Sequence, residues 1–178
     1  MTGYKGKNFD MANKGKGFEN EINVVNRHYK IIGKALVQKI STPWQVVRVG
    51  KRIVSAFPEE KSTLDFRGTV KGGISISFDC KESEDERGLP LAYIKSHQVE
   101  YMRYAIGVNE KTFILCLMKT IKKRFYIDGD TVITYWDRWQ ENKGRRGFNY
   151  IPLNEMKEVE FDKDGYLDYL KVLELRRS

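Results

Sequence analysis

Thr63-Leu64-Asp65-Phe66-Arg67-Gly68-Thr69-Val70-Lys71-Gly72-Gly73-Ile74-Ser75-Ile76-Ser77-Phe78-Asp79-Cys80-Lys81 reads as two strands folded about a glycine turn. Side chains alternate between the faces of a strand, so Thr63 and Asp65 share a face, as do Asp79 and Lys81. Residues 65 and 79 lie equally far from Gly72. A tight turn at Lys71-Gly72-Gly73 therefore sets Asp65 across from Asp79 and Thr63 across from Lys81. Directly opposed side chains have Cβ atoms about 4.5–5.5 Å apart. Two carboxylates at that distance repel unless a positive charge lies between them, and a hard divalent cation with oxygen ligands meets the need. Lys81 beside them is suited to hold negative charge developing on a phosphate. The plain alternative is a solvated charged face with weak ion pairs. Against it, Ile74, Ile76, Phe78 and Cys80 form an apolar face opposite Asp79 and Lys81, so one side of the strand reads as core.

Working outward, Phe18, Ile22, Val25, Tyr29 and Ile32 recur at helical spacing, and that helix begins after Gly15 and Gly17 and ends near Gly33. Ala35 to Ile40 reads as a strand. Residues 45–62 fit no single period and carry Arg48, Lys51 and Arg52, the pattern of a projecting basic excursion between two strands. Beyond the glycine turn come a polar loop over Glu82–Gly88 and a helix from about Ser96 to Ile106, with Ser96 as N-cap and Val99, Met102, Ala105 and Ile106 as core. Thr112 to Met118 is an uninterrupted apolar run, the sign of a strand buried on both faces. Arg124 to Ile127 pairs with it, and Asp130 caps a short helix carrying Tyr135, Trp136 and Trp139, whose tryptophans pack. After Pro152 the chain is charged with weak helical spacing. The order is that of an α/β sandwich with a mixed central sheet.

At 178 residues the chain has the length of one domain with a real core, and 40% hydrophobic composition is ordinary for a globular protein. No run of about 18 apolar residues suits a membrane span. Residues 1–16 read as a flexible basic arm without the apolar stretch of a secretory signal, and 17–178 as a single domain with the excursion as an insertion. Cys80 and Cys116 lie in apolar strands and read as reduced core residues of a cytoplasmic protein. Residues 1–52 hold 11 Lys and Arg against 3 Asp and Glu, already the whole net charge of +8. That asymmetry points to a polyanionic partner, nucleic acid first, with Lys5, Lys7, Lys14, Lys16, Arg48, Lys51 and Arg52 as phosphate contacts.

Several spaced motifs together resemble the RecU Holliday-junction resolvases. They are Phe18-Glu19-x-x-Ile22, Thr63-x-Asp65, Phe78-Asp79-Cys80-Lys81-Glu82, Pro90-Leu91, His97-Gln98-x-x-x-Met102, Tyr135-Trp136-Asp137 and Ile151-Pro152-Leu153. The resemblance runs from about Gly15 to Leu153. It implies a restriction-endonuclease-like (PD-(D/E)xK) core, a homodimer with two active sites, and four-way junction DNA as substrate. It makes Thr63, Asp65, Asp79 and Gln98 the Mg²⁺-site residues, with Mn²⁺ as a substitute, and Lys81 the stabiliser of the transition state. Gln98 taken alone would read as a surface helix residue. The excursion at 45–62 corresponds to the family's stalk, which enters the centre of the junction. A recombinase is the implied protein partner. Aspartate stands at 79 where the family usually has glutamate, and the interval from Asp65 to Asp79 is one residue longer than usual, which implies a bulge. Glu19 is placed to reach the same site, while His97 and His28 read as supporting residues. The competing readings are another nuclease of this fold, acting on flaps or specific duplex sites, and a non-catalytic junction-binding factor.

Overall fold

A computed structural model describes residues 16–41, 44–58 and 63–173. At its centre is a mixed sheet built from β1 (Ala35–Lys39), β4 (Phe66–Val70), β5 (Ile74–Ser83), β7 (Lys111–Met118), β8 (Lys123–Asp128) and β10 (Lys157–Val159). These six strands lie side by side in the order β1-β4-β5-β7-β8-β10. Of the pairings within the sheet, β5 with β7 is parallel and the rest are antiparallel. A parallel neighbour needs a crossover, and α2 (Ser96–Gly107) lies within it.

Helix α1 (Lys16–Ile31) covers one face of the sheet. Phe18, Ile22, Val25 and Tyr29 are buried against Ile76, Phe78 and Phe113, and the rings of Phe66, Phe78 and Phe113 stack along the strands at 4.9 and 4.7 Å. Ile32, expected to complete the stripe, is 54% exposed. The helix ends at Ile31, and Gly33 then turns the chain with φ of 66°, a conformation glycine takes without strain. Helices α2 and α3 (Gly129–Glu141) cover the other face, where Val99, Met102 and Val132 pack on Ile114, Cys116 and Ile127. The apolar run in β7 is buried on both faces, as expected of a central strand. The whole is the expected α/β sandwich, a mixed central sheet flanked by helices.

Several local expectations are corrected. The β4–β5 ladder runs from Phe66↔Phe78 to Val70↔Ile74 in constant register, without the bulge implied by its length. Strand β5 continues through Glu82 and Ser83, so the polar loop begins later. Ser96 is the first helical residue rather than the cap, because Lys95 already holds extended backbone angles. Asp128, not Asp130, caps α3, its side chain accepting from the Asp130 N–H at 3.1 Å. Gly129 follows the cap because a Cβ there would lie 2.1 Å from Thr112 Oγ1. Ile106 is only half-buried. Trp136 and Trp139 do pack, edge to face at 5.1 Å. The charged tail supplies β10 and a short helix, α4 (Tyr169–Val172), and buries Leu167, Tyr169, Leu170 and Leu173 in the α1-side core.

Residues 45–62 fall between β1 and β4. Within them β2 (Trp44–Val49) and β3 (Arg52–Pro58) pair as a separate two-stranded hairpin. Residues 46–56 are all exposed. The pairing shifts register between Val47 and Arg48, leaving Val54 as the extra residue of a bulge, which strengthens twist. Strands β6 (Gly88–Pro90) and β9 (Tyr150–Pro152), unforeseen in the sequence, form a second small sheet. The basic arm at 1–15 lies outside the described residues.

Candidate active site

Asp79 stands in the middle of β5 on the face turned toward α2, fully buried. Its Oδ1 accepts from the Cys80 N–H at 3.1 Å. Its Oδ2 receives both the Lys81 ammonium at 2.6 Å and the Gln98 side-chain amide. Asp65, one residue beyond the end of the β4–β5 ladder, meets Asp79 side chain to side chain, as the register requires. Burial, and then the hydrogen bond that the protonated carboxyl donates to Asp65, push Asp79 up to about 7, with Lys81 pulling the other way.

Gln98 is held by where α2 begins. It is the third helical residue, and its Oε1 accepts the otherwise orphan Lys95 N–H at 3.0 Å. The same oxygen receives Lys81 Nζ at 3.3 Å, which aims the amide nitrogen at Asp79. Thus Asp65, Asp79, Lys81 and Gln98 come together from three elements. Thr63 is half-buried in the bend before β4, and the contacts that join the other four do not include it.

Glu19 approaches from α1 but is engaged in an ion pair with Lys39 of β1. Its charge, with those of Asp79 and Asp65, adds to the burial that raises the Cys80 thiol. Cys116 is raised to about 12, chiefly by burial, and both cysteines are free thiols facing the cores. Sequence reasoning missed the role of Glu82. Its Oε1 accepts the Phe18 N–H at 3.2 Å, at the start of α1, while Lys119 pairs with its other oxygen. It also missed the contacts of Glu110 with Arg67 and Tyr101, which lie on the α2 side of the sheet.

Arg48, Lys51 and Arg52 cluster at the tip of the exposed hairpin, around the turn at Gly50. His97 is half-buried in the first turn of α2. His28 stacks on Tyr166 at 3.9 Å, and with Asp162 and Asp164 it places ligand atoms within 4.8 Å of one another, another group able to approach a cation. Among the described residues no helix is long and apolar enough to cross a membrane.

The carboxylate pair fits a hard cation. Two acidic side chains crowd a buried spot where Asp79 resists ionising, and a divalent ion would relieve their repulsion beyond what Lys81 offsets. The chain matches the family described as Recombination protein U over residues 13–175. It is 31% identical over 175 residues to the Holliday junction resolvase RecU of Streptococcus equi subsp. equi, spanning 94% of this chain and 86% of that one. With the Holliday junction resolvase RecU of Streptococcus agalactiae serotype III it shares 30% identity over 181 residues, spanning 96% and 89%. Among solved structures, the Holliday junction resolvase Hjc of Archaeoglobus fulgidus overlays with a TM-score of 0.42 at 14% identity, covering 85% of this chain and 91% of that one. A family match along nearly the whole length, over the residues that build the carboxylate site, means that the chain belongs to the RecU family.

Proposed function

We propose that this endodeoxyribonuclease resolves four-way DNA junctions in homologous recombination, as a homodimer that places one nick in each of two opposed strands. The observation that carries the reading is the meeting of Asp65, Asp79, Lys81 and Gln98 around a buried carboxylate. Asp65 and Asp79, with Thr63 and Gln98, would hold Mg²⁺, and Mn²⁺ would substitute. Once bound, such an ion polarises a phosphate and lowers the pKa of its water.

The chain's own residues do the remainder. Lys81 offers a fixed ammonium to the charge gathering on the phosphate, set in place by folding rather than assembled during the reaction. Gln98 keeps Asp79 in one orientation and so keeps the carboxylate pair aligned. Arg48, Lys51 and Arg52, on the hairpin tip, would meet backbone phosphates inside the junction and favour branched over linear DNA. A twofold pair of sites matches a substrate with two equivalent strands to cut. A recombinase as protein partner belongs to the same reading.

The deciding experiment is cleavage of an end-labelled mobile junction beside a linear duplex and a flap, each with Mg²⁺ and with EDTA. Symmetric nicks in the junction, lost in EDTA, are expected. Cutting of flap or duplex in place of the junction would retire the resolvase reading. Tight junction binding without cutting under any divalent ion would replace it with a non-catalytic junction factor.

A further inference from the structure

A second feature is an open groove of about 650 Å³ between α1 and the edge strand β1. Asn20, Asn23, Arg27 and Lys30 line it from the helix at spacings of three, four and three, so they share one helical face. Lys39 lines it from β1, and no lining side chain is acidic. Among the described residues Arg27 and Lys30 make no ion pair, in contrast to Lys39, which holds Glu19. The face therefore presents amide donors and uncompensated cations together.

Asn26 supplies an independent observation. It lines the groove, is only 4% exposed, and accepts the Tyr169 hydroxyl at 2.6 Å through Oδ1. Its Nδ2 has no hydrogen-bond partner. A buried donor left unsatisfied costs about 1–3 kcal/mol, and the Tyr169 bond prevents the amide from turning to avoid it. A ligand that only accepts hydrogen bonds and carries negative charge would satisfy the cations together with the open amides of Asn20 and Asn23.

We propose that this groove seats the phosphodiester backbone of a DNA arm leaving the active site. The inference rests on the nuclease reading for its ligand. From Asn20 to Lys30 the helix rises about 15 Å, the axial length of roughly four nucleotides of one strand. At the Lys39 end the groove adjoins Glu19, which holds Lys39 in an ion pair. Contacts of this kind fix register and affinity without reading sequence.

The test is binding of a labelled four-way junction, and of a linear duplex with the arm sequence, by the full chain in EDTA across a salt titration. Arg27→Ala with Lys30→Ala should lower the slope of log K against log salt by about 2 on both DNAs, and weaken binding about tenfold near 100 mM salt. Asn26→Asp keeps an acceptor for Tyr169 and adds a like charge to phosphate in the groove lining; it should weaken binding by a further factor of a few. Lys143→Ala with Arg146→Ala, the same charge change elsewhere on the surface, should leave the slope within about 0.5 of the parent. An unchanged slope in the Arg27/Lys30 variant, or an equal fall in the Lys143/Arg146 variant, overturns the groove. Both Arg27 and Lys30 are exposed, so the double variant decides the matter even if Asn26→Asp fails to fold. A parent chain that cuts junctions while the groove variants bind normally refutes the groove alone. A parent that binds duplex through the groove without cutting junctions refutes the resolvase alone.

Discussion

The two hairpins β4–β5 and β2–β3 turn on glycines with positive φ, Gly72 and Gly73 in the first and Gly50 in the second, and share little else. The first is in constant register and its second strand is enclosed between α1 and α2. The second is bulged, exposed along residues 46–56, and lies outside the main sheet. The contrast teaches where each kind of charge is useful. A carboxylate raised to about 7 needs an enclosed, fixed setting, whereas a cation that meets DNA phosphates needs exposure and reach. On the proposed function, Asp79 and Lys81 on one hairpin, and Arg48, Lys51 and Arg52 on the other, divide chemistry from capture.

The strongest way to break that division is Asp79→Asn. Cleavage of the junction should fall about a thousandfold or more, on the order of 4 kcal/mol in the barrier, while junction binding changes less than about threefold. Loss of binding along with cleavage would mean that the two hairpins are not separate in function. The complementary change, Arg48, Lys51 and Arg52 all to Ala, should weaken junction binding roughly 10- to 100-fold and lower the salt slope by up to about 3. The linear duplex should lose less. Equal losses on both DNAs would reduce the exposed hairpin to a generic basic patch.

A third measurement sharpens the comparison through pH. The folded-state pKa of Asp79 is raised above its ordinary 3.8, so the folded chain binds that proton more tightly than the unfolded chain does. Stability from this group is complete below about 4 and is lost as pH rises toward 7, at up to about 1.4 kcal/mol per unit. In EDTA the melting temperature should therefore decline between pH 5 and pH 8. Asp79→Asn should flatten the decline and melt roughly 5 °C higher at pH 8. Parallel pH curves for the two proteins would contradict the enclosed-carboxylate description. The smallest effect compares the turns directly. Gly73→Ala and Gly50→Ala each place a side chain at positive φ, at a local cost of about 1 kcal/mol. Only Gly73→Ala should lower the global melting temperature, by about 3 °C, because only that turn is tied to the core.

Much of the first hairpin was legible in the chain. Equal spacing about Gly72 gave the register, and the alternation of Ile74, Ile76 and Phe78 gave the buried face. The stripe of α1 and the apolar run of β7 were readable for the same reason, a period repeated several times. What resisted reading was long-range or polar. The tail carries Tyr169 and Leu170 among charges, so its burial beside Tyr29 depends on packing that no local period records. Strands β6 and β9 are three residues each, too short for alternation to show. Gln98 lies on a helix where a glutamine signals nothing, and only the family resemblance singled it out before the geometry joined it to Asp79. Asn26 carried no signal at all, because its meaning lies in Tyr169, 143 residues away in the chain.

Gln98 bonds the first turn of α2, Lys81 and Asp79 with one amide group. During synthesis β5 leaves the ribosome before α2 exists, so the aspartate and lysine are present before the group that orients them. A chain whose second helix has not docked has its acidic pair in register but lacks the Gln98 contacts to Asp79 and Lys81, and its sheet face is uncovered. On the proposed site assignment, competence to cut is thereby tied to the docking of α2.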